Sequence, residues 1–204
     1  MKKSVLLILF APLYVVTYSQ DPGKNLKAEN VIGIYSDIGI CQPLGHNRHG
    51  GIVSSNGKEA FSLGLKYLKP ISQKLKLETG ICYSKHTIVN HLVLEPDLND
   101  NLTESLRTIS IPVLLKRYYP KNYFISLGTM IDFTLSRAGG WAITDPQSGL
   151  GLILGAGKEI LIDKFSIDIE PNLAIHSLTP SHNLKNRQRL FFLGLNIGLD
   201  LKID

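Results

Sequence analysis

The chain has 204 residues, 44% of them hydrophobic and 19% charged, with a formal net charge of +5. That length fits one domain, and the composition argues against disorder and against a bundle of membrane helices. Residues 1–19 carry Lys2 and Lys3 and no acid, so beyond them 20 basic side chains face 17 acidic ones. A net charge of +3 implies no nucleic-acid partner.

At the N-terminus, Lys2 and Lys3 precede an apolar run from Val5 to Val16, and Thr17 and Ser19 stand three and one residues before a cut ahead of Gln20. This is the layout of an export signal over residues 1–19. The run is shorter than the roughly 20 apolar residues of a spanning helix, so cleavage is expected rather than anchoring. Residues 20–30 then form a short periplasmic segment, and residues 31–204 the folded domain.

No later stretch approaches 18 consecutive apolar residues, so any membrane crossing must use a closed sheet. Two-residue periodicity runs through the rest of the chain. It is weak over Val31 to Cys41, Glu59 to Lys69, Lys74 to Val89 and Leu106 to Tyr119. From Tyr123 it is strong: Tyr123, Ile125, Leu127, Thr129, Ile131, Phe133 and Leu135 alternate with Phe124, Ser126, Gly128, Met130, Asp132 and Thr134. A weak segment follows over Ser148 to Glu159. From Phe165, the residues Phe165, Ile167, Ile169, Pro171, Leu173 and Ile175 oppose Ser166, Asp168, Glu170, Asn172, Ala174 and His176. From Arg189 to Asp204 one parity is greasy and the other small and polar. Eight strands result.

Connections alternate in length, as in a membrane barrel with one short-turn rim and one long-loop rim. Short turns are expected near Pro70 to Gln73, Pro120 to Asn122 and Leu161 to Lys164. Long loops, rich in Gly, Asn, Asp, His and Pro, are expected over Gln42 to Lys58, Asn90 to Ser105, Arg137 to Gln147 and Ser177 to Gln188. An even strand count puts both termini on the short-turn, periplasmic side.

Asp37, Lys66, Lys76, Glu78, Lys116, Asp132, Asp168, Glu170, Asp200 and Lys202 all have the parity opposite to the apolar face. A soluble barrel or sandwich would be apolar inside, whereas glycines and charges of both signs sharing one face suit a narrow polar lumen. Tyr67, Tyr118, Tyr119, Tyr123 and Phe165 gather at the short turns, where aromatic rings favour the headgroup layer. Pro112 and Pro171 remove ladder donors inside strands and should mark bulges or unpaired positions. The expected fold is an all-β, eight-stranded antiparallel up-and-down transmembrane barrel in a bacterial outer membrane.

The segment ISIPVLLKRYYPKNYFISLGTMIDF from Ile109 to Phe133 resembles a hairpin of the PorT-like outer-membrane β-barrel family. GLGLILGAGKEI from Gly149 and FFLGLNIGLDLKI from Phe191 fit the same pattern. The resemblance implies a small outer-membrane barrel and, by the role of some members, a part in a protein-secretion machine.

Candidate chemistry is sparse. His46, His49, His86, His91, His176 and His182 all map to the long-loop rim or the strand ends beside it, but no carboxylate is fixed beside them by spacing, so no metal site is assigned. Ser84 and His86 share a face and offer a rim Ser/His pair for a lipid-modifying enzyme, though no orienting acid is evident. No phosphate loop, zinc-protease helix or nucleotide fingerprint occurs. Cys41 and Cys82 enter an oxidising compartment where two thiols could pair.

No catalytic, cofactor-binding or metal residue is therefore named. The expectation is a non-enzymatic barrel presenting loops for binding or assembly. Its partners are outer-membrane lipid, secretion-machine proteins or an extracellular ligand at the long loops. A rim lipid-modifying enzyme and a small porin are the alternatives.

Overall fold

A computed structural model describes residues 29–44, 53–92, 101–138, 145–180 and 188–203. The expected export signal over residues 1–19 lies outside the described residues, as does all of the expected 20–30 segment except Glu29 and Asn30. The strands are β1 (Asn30–Leu44), β2 (Val53–Ser72), β3 (Leu75–Leu92), β4 (Asn101–Tyr118), β5 (Tyr123–Ala138), β6 (Gly149–Ile162), β7 (Phe165–Pro180) and β8 (Arg189–Ile203). Each pairs antiparallel with its sequence neighbours, and β1 pairs with β8 from Asn30↔Ile203 to Leu44↔Arg189, closing the barrel. Closure leaves no sheet edge to satisfy.

The wall is inverted relative to a soluble protein. Ile38 is 62% exposed on the outer face, whereas Lys116 and Asp168, on the inner face, are 1% and 0% exposed. Along β5 the outward residues Tyr123, Ile125, Leu127, Ile131, Phe133 and Leu135 are exposed and Phe124, Ser126, Met130 and Asp132 are buried or nearly so. An apolar outer band around a charged interior is stable only with hydrocarbon outside. The parities expected for β5, β7 and β8 are those observed.

The expected turn positions hold, but the loops are shorter than expected. β1 runs on to Leu44, β2 begins at Val53, β3 reaches Leu92 and β4 begins at Asn101. β2 spans 20 residues, well beyond the about 9 to 11 that a tilted strand needs to cross hydrocarbon. Past the lipid, both faces of a hairpin can be polar while the backbone ladder continues to pair its own groups. Polarity there marks water, not the end of a strand. At the short-turn end, Lys121 and Asn122 take φ of 65° and 60°, and Asp163 takes 53°, the left-handed geometry that tight hairpin turns require.

Both prolines produce unpaired positions without a bulge. Pairing of β3 with β4 stops at Thr79↔Val113 and resumes in the same register at Cys82↔Ser110, on either side of Pro112. Pairing of β6 with β7 is interrupted likewise between Gly155↔Asn172 and Lys158↔Ile169, around Pro171. The missing N–H costs a ladder bond but no register shift.

Candidate functional site

The lumen is the chemically distinctive part of the molecule. Halfway along it, Lys66 reaches Asp168 and Asp200, both at 2.9 Å, and Lys116 reaches Glu78 at 2.8 Å and Asp168 and Glu170 at 3.3 Å. Ser126 donates to Glu170. Towards the short turns, Lys76 lies 3.5 Å from Glu159, which also accepts from Ser166. On the other side of the lysine pair, Asp37 accepts from Asn172 at 2.8 Å and Asn196 at 3.0 Å. Buried charges persist here because each is met by an opposite charge or, for Asp37, by two amide donors.

Side chains this long fit inside eight strands only where the wall is bare. A Cβ on Gly198 would stand 2.5 Å from the Lys66 ammonium, and the Tyr35 ring lies over its register partner Gly64. Glycines sharing the charged parity are therefore the floor on which the ion pairs lie. Glu159, Asp168 and Asp200 bring carboxylate oxygens within 4.8 Å of one another. Because Lys66, Lys76 and Lys116 engage them, this is an ion-pair lattice rather than a cation site.

Above the lattice lies an apolar cluster of Cys41, Ala60, Ile88, Leu106, Met130, Ala174, Leu190 and Phe192, with the buried polar His86 set between Ala60 and Leu106. The segment 145–148 folds over this end. Gln147 is fully buried, donates to the carbonyls of Asp145 and Gln188 at 2.9 and 3.2 Å, and accepts from the Leu190 N–H at 2.9 Å. Its own N–H donates to Thr134 Oγ1 at 2.8 Å. The strap thus ties β5 to β8 by satisfying backbone groups that would otherwise be stranded.

The expected site residues separate into distinct places. Ser84 and His86 do share the inner face of β3, but both are buried rather than open at a rim. Ser84 Oγ stands 3.6 Å from Cys82 Sγ, and no hydrogen bond among the described residues joins it to His86. His176 does have a carboxylate beside it, contrary to expectation: its Nδ1 donates to Asp132 at 3.1 Å. Residues 44 positions apart in sequence meet there through strand order, which spacing does not encode. His46, His49 and His182 lie outside the described residues, and His91 falls within β3.

The strand register decides the open question of the cysteines and corrects the placing of Tyr118. Cys41 and Cys82 are free. Cys82 is in register with Gly64 and Gly64 with Tyr35, six positions along β1 from Cys41, or about 20 Å at strand rise, far beyond disulfide reach. Tyr118 does not join the outer aromatic band. Its parity is that of Lys116, so it points inward against Phe124 at 5.6 Å with Lys76 4.5 Å over its ring. Tyr67, Tyr119, Tyr123 and Phe165 stay on the exposed short-turn rim. Glu104 and Glu159 are buried inward-facing acids that sequence reading missed: Glu104 fell in the expected 90–105 loop, which β4 in fact occupies from Asn101, and the weak periodicity over 148–159 concealed Glu159. For Glu159, the shared parity of Gly155 and Gly157 was the available signal.

No family model matches the chain, and no curated protein matches it in sequence. Among solved structures, it is similar to the outer membrane protein OprG from Pseudomonas aeruginosa, at 12% identity and a TM-score of 0.52, over 86% of this chain and 96% of that one. It is also similar to Neisserial surface protein A, at 11% identity and a TM-score of 0.50, over 84% and 97% of the two chains. At such identities the likeness is one of fold: a small closed barrel of the outer-membrane kind.

Proposed function

We propose that the chain is a non-enzymatic outer-membrane barrel of the PorT-like kind, embedded in lipid, that acts by presenting its long-loop rim to a protein or glycan partner. The observation that supports this reading most is the filled lumen. The Lys66 and Lys116 lattice, the apolar layer above it and the Gln147 strap occupy in turn the path that a solute would take. An eight-stranded wall leaves little room beyond its own side chains. Recognition then falls to connections carried on a rigid scaffold, and for a component of a secretion machine that recognition would be assembly with its other proteins.

A rim enzyme working through Ser84 and His86 has less support, because both residues are enclosed within the lumen. The test is cysteine crosslinking in cells from positions in residues 42–58 and 90–105. Recovery of a defined partner supports the reading. Lipid hydrolysis or acyl transfer that disappears on Ser84→Ala or His86→Ala would replace it.

A further inference from the structure

His86 is anomalous. It is 1% exposed, on the inner face of β3 between Ala60 and Leu106, and neither ring nitrogen has a hydrogen-bond partner among the described residues. An enclosed imidazole must carry one N–H donor and one lone pair, and leaving both unmatched costs free energy. Its ring meets that of His176 across the lumen, with centres 5.1 Å apart and planes at 70°.

His176 is prepared in a particular way. Its Nδ1 donates to Asp132 Oδ2 at 3.1 Å, and Asp132 is itself held by Ser110. A carboxylate on one ring nitrogen fixes the tautomer and orientation of the ring and leaves Nε2 with its lone pair free, as in the carboxylate–histidine–metal arrangement. With metal–nitrogen bonds of 2.0–2.1 Å, two imidazoles on one tetrahedral ion place their ring centres about 5 Å apart. The spacing of the two rings matches that value. Apolar neighbours, Ala60 and Leu106 among them, supply the dry shell that strengthens such a site.

We infer that His86 and His176 form a two-imidazole site for a divalent transition-metal ion of the zinc class, with Asp132 as the positioning residue for His176. The ion would clamp β3 to β7, strands that are not neighbours in the sheet, just below the Gln147 strap. Imidazole ligands favour zinc, copper and nickel over calcium or magnesium. Two coordination positions remain for exogenous ligands.

The experiment is calorimetric titration of zinc chloride into the full chain, purified in detergent and stripped with a chelator. The expected result is one zinc ion per chain, with affinity reduced at least tenfold in His86→Ala and in His176→Ala. Affinity should fall less in Asp132→Asn and be retained in a variant with His46, His49, His91 and His182 all changed to alanine. Heat-modifiable migration reports whether each variant closes its barrel. Should the lumen variants not close, X-ray absorption on the zinc-loaded native protein decides, and two imidazole nitrogens in the first shell are expected. Absence of binding, binding lost only in the variant lacking His46, His49, His91 and His182, or a first shell of oxygen alone would overturn the proposal.

Discussion

Lys116 and Asp168 meet 3.3 Å apart in the middle of the barrel, and the same Asp168 oxygen also accepts Lys66 at 2.9 Å. One carboxylate oxygen thus bridges two lysines carried by β2 and β4, while Glu78 and Glu170 complete the shell of Lys116. Removing Lys116 takes the ion-pair partner from the buried Glu78 and Glu170 and leaves Asp168 with Lys66 alone. We expect Lys116→Ala to destabilise the barrel by about 3 to 5 kcal/mol, the cost typical of breaking a buried pair. Lys158→Ala, exposed on the outer wall, should change stability by less than about 0.5 kcal/mol. Urea unfolding in lipid vesicles measures both.

The outer face gives a second test. Leu195 lies mid-strand on the lipid side of β8, and Ile203 lies at the short-turn end of the same face. Arginine at the bilayer midplane costs about 2 to 4 kcal/mol and near the interface about 0 to 1. Leu195→Arg should therefore be several times more costly than Ile203→Arg in the same unfolding assay. Equal costs would show that the wall is not immersed at that depth.

The thiols give a third. Cys41 sits in the apolar layer of the lumen and Cys82 beside Ser84, both buried and free. Neither should react with a membrane-impermeant maleimide while the barrel is closed. Both should be labelled once it is boiled in detergent, without prior reduction. A requirement for reductant would mean that the two sulfurs are joined, which the register between β1, β2 and β3 forbids.

A fourth concerns close approach. Because the Tyr35 ring occupies the space above Gly64, Gly64→Leu forces the ring out of the lumen. Overpacking of this kind typically costs about 1 to 3 kcal/mol. Tyr35→Ala combined with Gly64→Leu should recover part of the loss, measured as a double-mutant cycle in the same vesicles.

Much of this architecture is legible in the sequence, for a physical reason. A strand has a side-chain period of two, so Asp132, Asp168 and Asp200 declare their lumen face by parity with their neighbours alone. Which acid meets which lysine is not legible, because Lys66 and Asp168 are 102 residues apart and meet across the lumen. The tilt and stagger of the closed wall decide such contacts. The same holds for His86 and His176. Their position near the long-loop end could be read from the strands that carry them, but not their meeting or the Asp132 contact. Tyr118 misled because a tyrosine at a turn fits an outer aromatic band as well as an inner stack. Its parity with Lys116 was the better guide.

A lumen closed by its own side chains would leave the protein to work at its rim. Single-channel recording in planar bilayers tests that closure most directly. The native protein should show no stable conductance, because the ion-pair lattice, the apolar layer and the Gln147 strap lie in series along the axis. A large, steady conductance in the native protein would contradict the account and assign it instead to the small porins.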